Sequence, residues 1–207
     1  MNICLSLSGV YEQEGWSERI GSLPDSVLID LRELEGTNSY CSEEARAAIA
    51  SALAPYPLHS ICWIDTGDYH YVSEIRMSQA DRDFALLLLD NHSDRQEAMF
   101  GMLSCGSWVT VAEQNNPHLK PLEPGIPVFI SIDTDVLSTE YAVTDWNQGE
   151  MTYDELESIV RKTAAEHPII GIDICGGLTR SKGATDRDLA VNYALREKLL
   201  TLCESIL

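Results

Sequence analysis

Asp90, His92 and Asp94 occupy alternate positions in "DNHSD", and Asp133 and Asp135 repeat that spacing in "SIDTD". On an extended chain, residues two apart point to the same side, so each segment offers a set of carboxylate and imidazole ligands to one cleft. Both segments follow apolar runs, "FALLLL" and "PVFI", of the kind that fill a dry interior. Carboxylates delivered by such runs need a partner, because burying one unpaired is very costly. A metal cation fills that role. His70 closes "GDYH", just beyond a third apolar run, "SICWI". Together these ligands exceed what one cation needs, and carboxylates bridge well, so two ions roughly 3.5 to 4 Å apart can share Asp90 and Asp133. A donor set rich in oxygen, poor in nitrogen and without cysteine favours Mn²⁺ over Zn²⁺.

The segments that position these residues have the rhythm of parallel βαβ units: short Val, Ile and Leu runs alternate with stretches of helical spacing. Seven runs read as strands: "NICLSLSG", "SVLIDL", "SICWIDTG", "FALLLLDN", "SWVTVAE", "PVFISIDTD" and "PIIGIDICGG". Several lack polar alternation, as expected when helices cover both faces of a sheet. Ser42 reads as the N-cap of "EEARAAIASAL", and Thr152 with Glu155 forms a capping box at the head of "YDELESIVRKTAAEH". "TDRDLAVNYALREKLLTLCESIL" is the closing helix, and "NNPHLKPLEPGIP" and "STEYAVTDWNQGE" are long loops. The expectation is one α/β domain over residues 1–207. The ligand-bearing runs all end at the carboxyl edge of a parallel sheet, where ligands bind in open α/β folds.

A chain of 207 residues can bury roughly 70% of the surface its unfolded form exposes. It has no apolar stretch of bilayer length and no basic leader, so a cytoplasmic protein with no membrane association is expected. The six cysteines lack metal-site spacing and read as free thiols; Cys4, Cys62 and Cys203 are expected to be small buried hydrophobes. A formal charge of −19 with no basic cluster argues against nucleic acid as a partner. A small-molecule substrate fits better; the oligomeric state is open, and a homo-oligomer is compatible with it. "GTNSYCSEE" reads as an ordinary turn into a helix, although Asn38, Tyr40 and Cys41 lie where they could reach the cleft edge. His59, His118 and His167 fall away from the cleft.

"GDYH", "DNHSD" and "SIDTDVL" resemble, in order and position, the metal-binding segments of the arginase and agmatinase (ureohydrolase) family, G-G-D-H, D-A-H-x-D and S-x-D-x-D. The resemblance spans roughly residues 60 to 177. It implies an arginase-like three-layer αβα sandwich on a mostly parallel sheet, and hydrolysis of a linear, non-peptide carbon–nitrogen bond. It also implies that His70, Asp90, Asp94 and Asp133 hold one Mn²⁺ and that Asp90, His92, Asp133 and Asp135 hold the other. Asp135, least committed to bridging, is the expected proton acceptor in catalysis.

The chain departs from the family where substrate is held. In guanidinium-cleaving relatives the strand matching "GIDIC" continues into a glutamate that pairs with the guanidinium; here that position is Gly176. Asp145, Glu150 or Asp173 would have to supply the anion, or the substrate is an amide rather than a guanidine. Trp146 would stack on a planar or cationic group, or only pack its loop. Asp65 and Asp68 would orient His70 or simply end a strand, and Asp173 would support the site or cap a helix. No histidine follows Asp94 in the position of a proton shuttle, and Cys105 has no adjacent base to activate it. The alternative to a hydrolase is a non-catalytic arginase-fold protein that keeps its metals for structure or regulation.

Overall fold

In a computed structural model describing all 207 residues, the chain runs through β1 (Asn2–Ser6), α1 (Val10–Glu14), α2 (Trp16–Gly21), β2 (Ser26–Asp30), β3 (Tyr40–Cys41) and α3 (Glu43–Leu53). It continues through β4 (Ile61–Trp63), α4 (Val72–Met77), β5 (Ala85–Leu89), β6 (Leu103–Ser104) and α5 (Trp108–Asn115), and ends with β7 (Val128–Asp133), α6 (Tyr153–Glu166), β8 (Ile169–Cys175) and α7 (Asp186–Glu204). Six strands form one parallel sheet in the order β2-β1-β4-β8-β7-β5, and β3 pairs with β6 in a short antiparallel ribbon outside it.

Alternation along the strands feeds two cores. Cys4, Trp63, Ile130 and Ile174 face the layer of α1, α2, α6 and α7, while Ile3, Leu5, Cys62 and Phe129 face α3, α4 and α5. The result is the expected three-layer αβα sandwich. Ser42 caps α3 by accepting from the Ala45 amide, and Thr152 and Glu155 close the capping box of α6. No helix is long and apolar enough to cross a membrane.

Two expectations fail here. "SWVTVAE" is helix α5, not a strand: Trp108, Val109 and Ala112 fall on one helical face and are buried against the second core. Tertiary packing overrides the β-branched residues' preference. The leucine run of β5 is at the sheet edge, where Leu86, Leu87 and Leu88 are only half-buried.

One ion pair crosses the first core. Arg196 of α7, 1% exposed, binds both carboxylate oxygens of Glu14, lies 4.6 Å over the Tyr11 ring and donates to the Gly176 carbonyl at 2.7 Å. Replacing Arg196 with Leu strands the Glu14 carboxylate in the interior. Urea denaturation should then show a loss of about 3–5 kcal/mol, of which the double replacement Glu14→Leu, Arg196→Leu recovers most. A loss below about 1 kcal/mol in the single variant would contradict this.

Candidate metal centre

β4 ends at Trp63, and Asp65 follows with a left-handed backbone (φ 86°). Its carboxylate accepts the amides of Leu7, Ser8 and Thr66, which ties the end of β1 to the end of β4. A 3-10 turn over Gly67–Tyr69 then turns the chain back across the sheet edge and sets His70 in the interior, 1% exposed. A Cβ at position 67 would lie 2.9 Å from both Asp133 Oδ2 and Trp146 Cδ1 and would force one of those side chains to shift.

The His70 ring is anchored behind by Ser131 Oγ, 2.8 Å from its Nε2, and Ser131 is itself 3.1 Å from Ser73 Oγ. Its Nδ1 faces Asp90 Oδ2 at 3.1 Å, Asp94 Oδ2 at 3.2 Å and Asp133 Oδ2 at 3.6 Å. That buried nitrogen has no hydrogen-bond partner. A second group lies alongside: His92 Nδ1 is 2.9 Å from Asp135 Oδ2 and 3.5 Å from Asp90 Oδ1. Asp90 therefore turns one oxygen to each imidazole, the disposition of a bridging carboxylate.

These six residues converge, but not by strand alternation. β5 ends at Leu89 and β7 at Asp133, so the ligands beyond them lie in turns. The His92 amide donates to Asp90 Oδ1 at 2.6 Å and the Asp135 amide to Asp133 Oδ1 at 2.9 Å, so each leading aspartate folds its own following residues. Asp94 has a left-handed backbone (φ 50°), and Trp108 Nε1 donates to its Oδ2 at 2.6 Å while the indole lies 4.8 Å from the His70 ring. The β3–β6 ribbon brings Tyr40 and Ser104 to the rim of a cavity of about 140 Å³ over the cluster. Ser39, Gln96, Cys105 and Trp146 also line it.

The other sequence candidates are placed differently. Trp146 packs over Gly67, 5.8 Å from the His92 ring. Asp145 does not line the cavity; it shares Lys182 with Asp68, and that clamp fastens the Trp146 loop to the turn before His70. Asp173 also lies outside the cavity, buried beside Arg76 at 3.2 Å, and Glu150 is exposed elsewhere. The carboxylates of Asp65 and Asp68 bond other partners and make no hydrogen bond or ion pair with His70. "GTNSYCSEE" is more than a turn, since Ser39 and Tyr40 reach the cleft. Sequence reasoning also missed Trp108, hidden in the supposed strand, and Cys175. The Cys175 thiol donates to Asp133 Oδ2 at 3.1 Å, and its sulfur groups with His70 and Asp133. Its position two residues past Asp173, on the same face of β8, was the available signal.

Burial, reinforced by the neighbouring carboxylates of Asp133 and Asp90, pushes Asp135 up to about 9. Asp133 rises to about 6, chiefly through burial, with Asp90 adding to the rise and His70 opposing it. Burial also opposes charge on His70, but Cys175, Asp90 and Asp94 around it hold its pKa well above the usual histidine value. Protons thus answer the repulsion among the carboxylates. Hard divalent cations fit the same donors: four carboxylates, two imidazoles and an orphaned buried nitrogen aimed at three of the oxygens.

No protein-family model matches the chain. An uncharacterized protein of Thermotoga maritima is 27% identical over 199 aligned residues, covering 83% of this chain and 78% of that protein. Among solved structures, proclavaminate amidino hydrolase from Streptomyces clavuligerus matches with a TM-score of 0.67 at 13% identity, over 98% of this chain and 90% of its own. Arginase from Medicago truncatula matches with a TM-score of 0.63 at 13% identity, over 98% and 85%. The chain has the arginase fold, and its ligand-bearing loops stand at the carboxyl edge of that fold's parallel sheet.

The pKa shifts carry a signed consequence. His70, Asp133 and Asp135 all have folded-state values raised above their unfolded ones, so their stabilisation is complete at low pH and is lost as pH climbs through the folded values. The metal-free protein's urea midpoint should therefore fall between pH 5 and pH 9. Saturating Mn²⁺ should remove that fall, and calorimetry in buffers of differing ionisation enthalpy should show protons released on Mn²⁺ binding. A midpoint flat with pH, or binding without proton release, would contradict the electrostatic account.

Proposed function

We propose that this protein is a binuclear Mn²⁺-dependent hydrolase of a linear, non-peptide carbon–nitrogen bond in a guanidino or amide substrate. The observation that carries the proposal is the division of Asp90 between His70 and His92, which makes two adjoining ligand groups around one shared carboxylate. His70, Asp90, Asp94 and Asp133 would hold one ion, and Asp90, His92, Asp133 and Asp135 the other. Two such ions supply Lewis-acid polarisation and a water made nucleophilic near neutral pH. The six free cysteines accord with action in the cytoplasm.

The chain's own groups account for the rest of the chemistry. Asp135 has one oxygen fixed by the Asn91 amide at 3.0 Å and the other facing His92. It accepts the proton lost as water adds to the sp² carbon and returns it to the nitrogen as the carbon–nitrogen bond breaks. Trp146, held by the Lys182 clamp, forms one wall of the cavity and limits bulk water above His92.

Mn²⁺-loaded protein should release amine or urea from at least one member of a panel of agmatine, arginine, formiminoglutamate and acetylated polyamines. Asp135→Asn should keep the fold by circular dichroism and lose at least about 100-fold in turnover, the scale of general acid–base assistance. Undiminished turnover in that variant would remove Asp135 from the proton-accepting role. No turnover on any member by fully loaded protein would favour a non-catalytic metal protein.

A further inference from the structure

We propose, building on the hydrolase reading above, that the group this site cleaves is electrically neutral: an amide or ureido carbon–nitrogen bond, not a guanidinium. Every carboxylate lining the cavity, namely Asp90, Asp94, Asp133 and Asp135, is committed to the ligand cluster. Two divalent cations balance those four negative charges. The remaining wall offers only uncharged polar groups, among them the Gln96 amide, the Tyr40 hydroxyl and the Cys105 thiol, with Trp146 as a flat apolar face.

A guanidinium stays charged at any physiological pH, and burying it calls for a carboxylate of matching geometry. No further carboxylate lines the cavity. Asp68 and Asp145, each adjacent in sequence to a lining residue, turn an oxygen to Lys182 and do not themselves line the cavity. Asp173 is behind the cluster, paired with Arg76. The end of β8 supplies no anion either, since Gly176 does not line the cavity. Gly176 has φ +111°, a Cβ there would overlap the Thr134 hydroxyl, and its carbonyl is held by Arg196. Trp146 would attract a cation only weakly, because the ring is 40% exposed and an exposed cation–π contact is small beside a lost carboxylate pair. A neutral planar head, by contrast, can satisfy its carbonyl with the Gln96 or Tyr40 donors and lay its flat face on the indole.

The direct test compares ligands that differ in charge and little in shape. Dissociation constants of agmatine, N-carbamoylputrescine and N-acetylputrescine are measured by calorimetry on wild-type Mn²⁺-loaded protein, with amine release followed in parallel. At least one of the two ligands with an uncharged head should bind ten-fold or more tightly than agmatine and be turned over faster. Agmatine binding as tightly as or more tightly than both, a preference for the uncharged heads below ten-fold, or no binding by any of the three at millimolar concentration would overturn the proposal. Metal content separates this failure from that of the hydrolase reading. Two Mn²⁺ per chain with agmatine preferred overturns only the neutral-substrate inference, whereas fewer than two ions overturns the binuclear centre whatever the ligand order.

Discussion

Like charges at the sheet edge constrain the whole design. Asp90, Asp94, Asp133 and Asp135 are held within reach of two imidazoles where little water screens them, and such a group persists only if cations or protons offset its repulsion. Each countermeasure has groups suited to it. Raised proton affinities at Asp133, Asp135 and His70 are the protonic one, and the partnerless His70 nitrogen facing three carboxylate oxygens is shaped for the ionic one.

Holding those charges together takes a rigid frame, and the fold provides it at several levels. Parallel strands bring the three contributing segments to one edge, and asparagine-like turns at Asp90 and Asp133 then aim the residues that follow. Ser131 and Ser73 brace His70 from inside the second core, Trp108 pins Asp94, and Asp65 ties β4 to β1. On the opposite face the Arg196 guanidinium joins the core pair with Glu14 to the Gly176 carbonyl at the end of β8. The same side chains therefore serve packing and site geometry, so a change in either core is felt at the cluster.

Much of this was legible in the sequence because the governing signals are local. Apolar runs of strand length marked six of the seven expected strands that enter the sheet, and the caps at Ser42 and Thr152 stand where side-chain chemistry put them. The alternating ligands revealed which residues to group, although turns rather than extended strands bring them together. What stayed hidden depends on contacts distant in sequence. Trp108 looked like strand because its β-branched neighbours do, yet its helix is dictated by burial against His70 and Asp94. Tyr40 and Ser104 enter the cleft through a ribbon of two-residue strands, too short to leave any periodicity. Asp145 and Asp173 were plausible anions for substrate until their partners, Lys182 and Arg76, came into view.

The central claim is that Asp90 stands between two metal ions. Anomalous diffraction from crystals of the Mn²⁺-loaded protein tests it most directly. Two peaks roughly 3.5 to 4 Å apart are expected, one beside His70 Nδ1 and one beside His92 Nδ1, with a carboxylate oxygen of Asp90 on each. A single peak, or density remote from either imidazole, would contradict the account.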